Sequence, residues 1–449
     1  MGWLIRCYMI EMPSREVFCN SPWYELHIFW DGSYGYCCGQ NHHPYDGNLS
    51  EFYNVKSMSI TDWHNSTPMR SHRLRMQHTD RMLECDRCWS HEKYSNTSRR
   101  IKANQKSAIF TKQQFAESYN QSPNLKAFSH SFGNKGYTTT LPIDIHIDFG
   151  NYCNLACKMC KPDASSTIAS QYLNWGLLDN KRLLGSDWTK HDDTWESVIL
   201  QILDITGLLN IHLMGGETLL TPRFEQLIDA FIKNGKYDVS FSFVTNCTIF
   251  KPSLLQKLAK FKRVGIELSI ETLTLHNEYV RQGTDNTLVM ENIYKYIEFS
   301  NGTNISVTVR PAISLLTIGY YYTLLDFCIA NKLLVKSLLV REPSCLDVKL
   351  LPKKLRMLYK KNYIDLLAKL DHNTPPIVDF NESNPSNYTS VIKSEIDQCI
   401  ALLEQEDVQH DQFGSLIELL NKWDRVYGLD ARKLYPEFGM ILDEYGYAN

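Results

Sequence analysis

Three cysteines crowd one short stretch of the 449-residue chain, Cys153-Asn-Leu-Ala-Cys157-Lys-Met-Cys160. The chain holds 13 cysteines and opens without a secretory-signal pattern, which favours metal binding or reactivity over disulfides. Thiolates at this C-x3-C-x2-C spacing can hold three irons of a cubane [4Fe–4S] cluster. The loop has no fourth cysteine, so one iron would keep an open position, which separates a reacting metal site from a closed one. A zinc ion with a distant fourth ligand, or three unrelated thiols, are the alternatives.

A second set lies nearer the N-terminus: Cys19, Cys37, Cys38, Cys85 and Cys88. Between Cys19 and Cys37 the segment PWYELHIFWDG reads as strand, Asp-Gly turn and strand, a hairpin that would bring those two cysteines together. Cys85-Asp-Arg-Cys88 is a two-residue chelate, and Cys38 could replace Cys37 as a ligand. By spacing alone, two such pairs suit tetrahedral zinc and an iron–sulfur cluster equally. His42 and His43 could also ligate, although loop histidines are more often solvated. Cys7, Cys328 and Cys399 read as buried small hydrophobes. Cys247 and Cys345 follow strand candidates, where a thiol could donate a hydrogen atom; plain packing is the commoner use. The run Ser98-Arg99-Arg100-Ile101-Lys102 could meet phosphate, with a solvated helix end as the commoner reading.

The elements that must position the triplet alternate. Strand candidates at 143–149, 211–214, 239–245, 264–270, 305–310 and 335–341 are separated by helix-period segments at 193–208, 222–235, 253–261, 285–299 and 318–332. Such alternation means βα units and a parallel sheet, and six units favour an incomplete TIM-like barrel over a doubly wound sheet. The triplet follows the first strand directly, at the end of the barrel where active sites sit. Each strand has one apolar and one polar face. Asp144, His146 and Asp148 alternate with Ile145 and Ile147, Glu267, Ser269 and Glu271 with Ile266, Leu268 and Ile270, and Ser306, Thr308 and Arg310 with Ile305, Val307 and Val309. Helices must cover the apolar face, so the polar face is expected to line an open, wet cavity that holds a polar ligand. The last hundred residues read as helices with apolar stripes (Ile392, Ile396, Ile400, Leu403; Leu416, Leu419, Leu420, Trp423) that pack on the barrel or cap its cavity.

These motifs together resemble the radical S-adenosylmethionine (radical SAM) enzymes over roughly residues 141–350. The triplet resembles the cluster loop. Gly215-Gly216-Glu217 is similar to the family's GGE motif, whose backbone and carboxylate hold the amino group of SAM. Thr245-Asn246 is similar to its TNG turn, with Cys247 in place of glycine. Ser269 stands where the family places a ribose-contacting residue. Glu278-Tyr279-Val280-Arg281 resembles a stretch whose arginine can meet the SAM carboxylate. Met159 stands where many members have an aromatic residue. The resemblance implies a [4Fe–4S] cluster held by Cys153, Cys157 and Cys160, SAM cleavage by one-electron reduction, and hydrogen-atom removal from a substrate by the 5′-deoxyadenosyl radical. It also implies a one-electron reductant protein such as flavodoxin or ferredoxin. The pattern C-x12-G-x4-C followed by C-x2-C looks like the family's twitch or SPASM extension, which implies an auxiliary cluster on Cys19, Cys37, Cys85 and Cys88. Glu92, Ser98, Arg99-Arg100 and Tyr435-Pro436-Glu437-Phe438 resemble further parts of such proteins. The extension here precedes the barrel, whereas it more familiarly follows it.

The expected organisation is an auxiliary-cluster domain over 1–110, a linker over 111–140, the partial (β/α)6 barrel over 141–350 and a C-terminal helical extension over 351–449. Hydrophobic residues at 43%, charged residues at 22% and a net charge of -3 exclude disorder and give no basic excess for nucleic acid. No apolar run approaches the roughly 20 residues that span a bilayer, so a cytoplasmic enzyme is expected. Its substrate would be a peptide or other polar molecule. A nucleoside or RNA is the second reading, and a zinc-cysteine nucleic-acid-binding protein is the alternative outside enzymes.

Overall fold

The computed structural model of the protein describes residues 17–40, 52–76, 81–92, 98–106, 130–131, 133–179, 184, 187–372, 388–405 and 413–447. Cys7, His42, His43 and most of the expected linker lie outside them. In chain order the strands are β1 (Glu25–Ile28), β2 (Tyr34–Gly35), β3 (Asp144–Asp148), β4 (Ala156–Cys157), β5 (Asn210–Met214), β6 (Ser240–Thr245), β7 (Arg263–Leu268), β8 (Arg281–Gln282), β9 (Ile305–Val309), β10 (Ala312–Ile313), β11 (Leu334–Val335) and β12 (Leu338–Leu339).

The main sheet has the order β11-β9-β7-β6-β5-β3-β1-β2. From β3 to β11 the strands are sequential neighbours, each parallel to the next. There is no reversal of order, the mark of a doubly wound sheet. The fold is therefore α/β with the expected six-stranded partial barrel. The expected last strand, 335–341, is broken into β11 and β12, and β12 pairs with β10 in a separate small sheet.

The apolar strand faces build the core. Ile145, Ile147, Ile211, Leu213, Phe241, Phe243, Val264, Ile266 and Leu268 are at most 1% exposed. They meet helices such as Pro222–Lys233, which opens with proline in its first turn and the Thr221 hydroxyl accepting from Arg223 N–H. Phe224 and Phe231 of that helix meet Phe243 and Phe241 edge-on, at centroid distances of 5.1 and 5.3 Å. Each such side chain contributes about 1.5–3 kcal/mol by burial.

The N-terminal segment joins the same sheet. β1 runs parallel to β3 in the register Glu25↔Asp144 to Ile28↔Ile147, and β2 closes the edge antiparallel to β1. The expected hairpin is present, but Ser21–Tyr24 is a helical turn and the strand begins only at Glu25. Phe29 C=O accepts from Gly32 N–H at 2.8 Å and Phe29 N–H donates to Ser33 O at 2.9 Å. Gly32 has φ +85°, so this is a three-residue turn with glycine in its left-handed position.

The polar faces pair largely with themselves. His27, His146, His212 and Ser242 share one register row. His27 Nε2 lies 3.1 Å from Asp148 Oδ1, and His212 Nδ1 lies 2.6 Å from Ser242 Oγ. Arg310 pairs with Glu267. Arg99 lies 2.9 Å from both Glu25 Oε2 and His146 Nε2. Asp144 and His146 are thus only 6% and 5% exposed. This end of the barrel wall is more enclosed than the sequence suggested, because β1 and Arg99 cover it.

In the C-terminal extension, helix Tyr388–Leu403 packs on Lys353–His372 and on Tyr321–Ala330. Helix Phe413–Tyr427 buries Leu416, Leu419, Leu420 and Trp423. Among the described residues no helix is long and apolar enough to cross a membrane.

Candidate functional site

The loop that leaves β3 carries the cysteine triplet and is pinned from two sides. Its middle forms β4, antiparallel to β8, with Cys157 opposite Arg281. Lys158 N–H donates to Val280 O at 2.7 Å. Under the loop passes the turn that follows β5, where Glu217 N–H donates to Tyr152 O at 2.9 Å. Gly215 and Gly216 have φ of +91° and +52°, and a Cβ on them would lie 2.4 Å from Gly150 O and 1.9 Å from Tyr152 O. Only glycine permits this approach.

The three thiols share one neighbourhood. Cys160 is held well above the ordinary thiol range by burial and then by Cys157 and Cys153. Cys153 is pushed up to about 12 by burial and then by Cys157. Such thiols must release protons to a metal. Arg281 Nη1 donates to Cys157 Sγ at 3.4 Å, and Arg281 Nε lies 2.8 Å from Glu271 Oε2. Burial alone would pull the guanidinium pKa down, but Glu271 and Cys157 outweigh it and hold it up. Among the described residues no three His, Cys, Asp or Glu side chains converge as the ligands of one metal ion would.

The other expected residues gather at the same strand ends. Glu217, 2% exposed, accepts from the Thr245 hydroxyl at 2.9 Å, Asn246 N–H at 2.6 Å and Leu219 N–H at 3.2 Å. Burial raises its pKa despite these bonds. Its carboxylate thus ties β5 to β6. Asn246 Nδ2 lies 4.0 Å from Cys153 Sγ and donates to Asn154 Oδ1 at 2.8 Å. Ser269 N–H donates to Thr245 O at 2.9 Å. Cys247 has φ +64°, so it occupies the glycine conformation that a TNG turn uses. Cys247 and Cys345 are 0% and 3% exposed, and Cys328 and Cys399 are buried as expected.

The second cysteine set also comes together. Cys19, Cys37, Cys85 and Cys88 line one pocket of about 310 Å³, counting its open mouth, with Ser21, Gly39, Glu84, Arg99 and Arg100. Cys37, not Cys38, faces it; Cys38 lies near Arg99, Glu25 and Asp144. The reading of 98–102 as a solvated helix end is corrected. Arg100 forms a two-pronged pair with Glu92 at 3.0 and 2.6 Å, and Arg99 is drawn to Glu25, so both cations turn inward. Nothing in local sequence pattern marks these pairings. Lys158 and Glu271 were likewise not singled out as site residues, although Glu271 lies on a polar strand face.

Residues 147–311 match the family model of the radical SAM superfamily. Over these residues the chain carries a radical SAM domain. Residues 19–89 match the SPASM model, an iron-sulfur cluster-binding domain, so the N-terminal zinc alternative gives way. The two domains imply a [4Fe–4S] cluster, SAM and an auxiliary iron–sulfur centre as cofactors. The residues present fit them: two thiol-rich sites, one of three donors and one of four, and a glycine cradle that a Cβ would fill. Solved structures similar to the chain include native anSMEcpe with bound AdoMet, at 17% identity and TM-score 0.40, over 52% of this chain and 62% of that one. Another is Streptococcus suis SuiB, at 15% identity and TM-score 0.35, over 70% and 65%. The chain thus spans less than two thirds of the length of either. No curated protein matches it.

Proposed function

We propose that Cys153, Cys157 and Cys160 hold the reacting cluster of an enzyme that removes a hydrogen atom from a polar substrate, a peptide in the first instance. The bound cluster and SAM supply reductive cleavage to a 5′-deoxyadenosyl radical. The chain's own residues do the rest. The Gly215–Gly216 backbone and Glu217 line the methionyl end. Thr245, Asn246 and Ser269 line the nucleoside end. Arg281 steadies Cys157 and offers a cation to the carboxylate side. Cys19, Cys37, Cys85 and Cys88 hold the auxiliary cluster with all four protein donors. A flavodoxin- or ferredoxin-like protein supplies the electron. The observation that carries this reading is the three-thiol loop at the end of the first barrel strand, packed directly on Gly215–Gly216. A peptide is favoured because the polar strand faces carry charges of both signs, Glu267 with Arg310. A nucleotide or RNA would call for a basic excess.

The test is anaerobic reconstitution, reduction with dithionite, and assay for 5′-deoxyadenosine from SAM. Wild type should form it. Cys157→Ala should not, while retaining the auxiliary iron, and Cys85→Ala should lose the auxiliary iron. Equal product from Cys157→Ala would end the assignment.

A further inference from the structure

Lys158 stands in sequence between Cys157 and Cys160, yet it is 1% exposed. Its ammonium donates to Tyr279 O at 2.8 Å and lies 3.9 Å from the centre of the Tyr279 ring and 5.4 Å from that of Trp423. Tyr279 OH in turn donates to Asp424 Oδ1 at 2.9 Å. Asp424 Oδ2 accepts from Ala431 N–H at 2.8 Å and Tyr447 OH at 2.6 Å, and the residue is 1% exposed. Burying an ammonium is costly unless it is compensated. Here an aromatic face, a carbonyl and a carboxylate compensate it, and they fix the charge in place. Of these three residues, Trp423 and Asp424 come from the C-terminal helix Phe413–Tyr427, some 260 residues along the chain.

Reduction makes an iron–sulfur cluster more negative. A fixed cation beside its ligands therefore stabilises the reduced form, and a fixed anion opposes it. We propose that Lys158 and Asp424, set on either side of Tyr279, tune the reduction potential of the cluster held by the Cys153–Cys160 loop, Lys158 raising it and Asp424 lowering it. The inference rests on the ligand assignment above. It gives the C-terminal extension an electrostatic part in the chemistry, as a positioning element rather than a catalytic one.

The test is a redox titration of the reconstituted full-length protein, followed by the electron paramagnetic resonance signal of the reduced cluster that changes when SAM is added. That response marks the cluster with an open iron and sets it apart from the auxiliary one. Lys158→Met should lower the midpoint potential, Lys158→Arg should leave it near wild type, and Asp424→Asn should raise it. A loss of packing alone would not move the two charge variants in opposite directions. Shifts of the same sign in Lys158→Met and Asp424→Asn, or none in either, overturn the proposal. Should Lys158→Met fail to assemble its cluster, Asp424→Asn decides alone, and an unchanged or lowered potential refutes it. If wild type itself gives no SAM-responsive signal, the ligand assignment is what has failed.

Discussion

The sharpest prediction concerns Gly216→Ala. The added Cβ would lie 1.9 Å from Tyr152 O, where ordinary contact begins at 3.4 Å, so the carbonyl must retreat by about 1.5 Å. That carbonyl is not free to move, because it accepts from Glu217 N–H at 2.9 Å and belongs to the residue before Cys153. Two costs combine. The left-handed backbone at φ +52° costs an alanine about 1–2 kcal/mol. Overpacking against fixed backbone adds about 1–3 kcal/mol. Gly235→Ala is the matched control: its φ is +63°, but nothing lies within 4 Å of the new Cβ, so it bears only the first cost. Urea unfolding of the cluster-free proteins should show Gly216→Ala as the less stable by about 1–3 kcal/mol. Iron bound at the triplet should fall in Gly216→Ala alone, because the displaced loop carries Cys153. Equal stability and equal iron in the two variants would refute the claim that this glycine shapes the cluster loop.

Other outcomes follow from buried charge. Glu271→Gln leaves the Arg281 guanidinium, 8% exposed, without its carboxylate and should cost about 3–5 kcal/mol by urea unfolding. Adding Arg281→Met should recover much of that, and a purely additive double variant would contradict the pairing. Burial depresses four histidines below their ordinary 6.5, His276 and, further, His72 to about 3, His212 to about 3 and His64 well below. The unfolded chain therefore takes up protons that the fold refuses, so their contribution is intact above about pH 6.5 and lost as pH falls below it. At pH 5.5 the loss is about 1.4 kcal/mol for each of the last three, measurable on the cluster-free protein. His72→Gln should flatten the slope of stability against pH by one histidine's share, and an unchanged slope would count against its burial as a neutral ring.

Much of the barrel was legible because its strands carry clean alternation and its helices a clear period. The expected strand 239–245 is observed as Ser240–Thr245, and 305–310 as Ile305–Val309. The hairpin was legible from Asp31-Gly32, since that turn needs a residue at positive φ. What escaped was tertiary. Glu25 pairs with Asp144 across more than a hundred residues, and no local pattern announces a parallel partner at that distance. The same holds for Arg99, whose partners Glu25 and His146 come from two strands, and for Lys158, whose aromatic and acidic company arrives from the far end of the chain. Cys37 and Cys38 are indistinguishable by type. Only the turn of the backbone after β2 sends one toward Cys19 and the other toward Asp144.

The seam between β1 and β3 has a bearing on how the molecule can be divided. A recombinant fragment that began near residue 141 would leave β3 with a bare row of amide and carbonyl groups along one flank, an invitation to stick to its own kind. The leading segment thus acts as a guard on that flank as well as a carrier of sulfur ligands. Supplied as a separate polypeptide, it could re-dock along the same backbone ladder, which makes the chain a natural candidate for splitting into two complementing pieces.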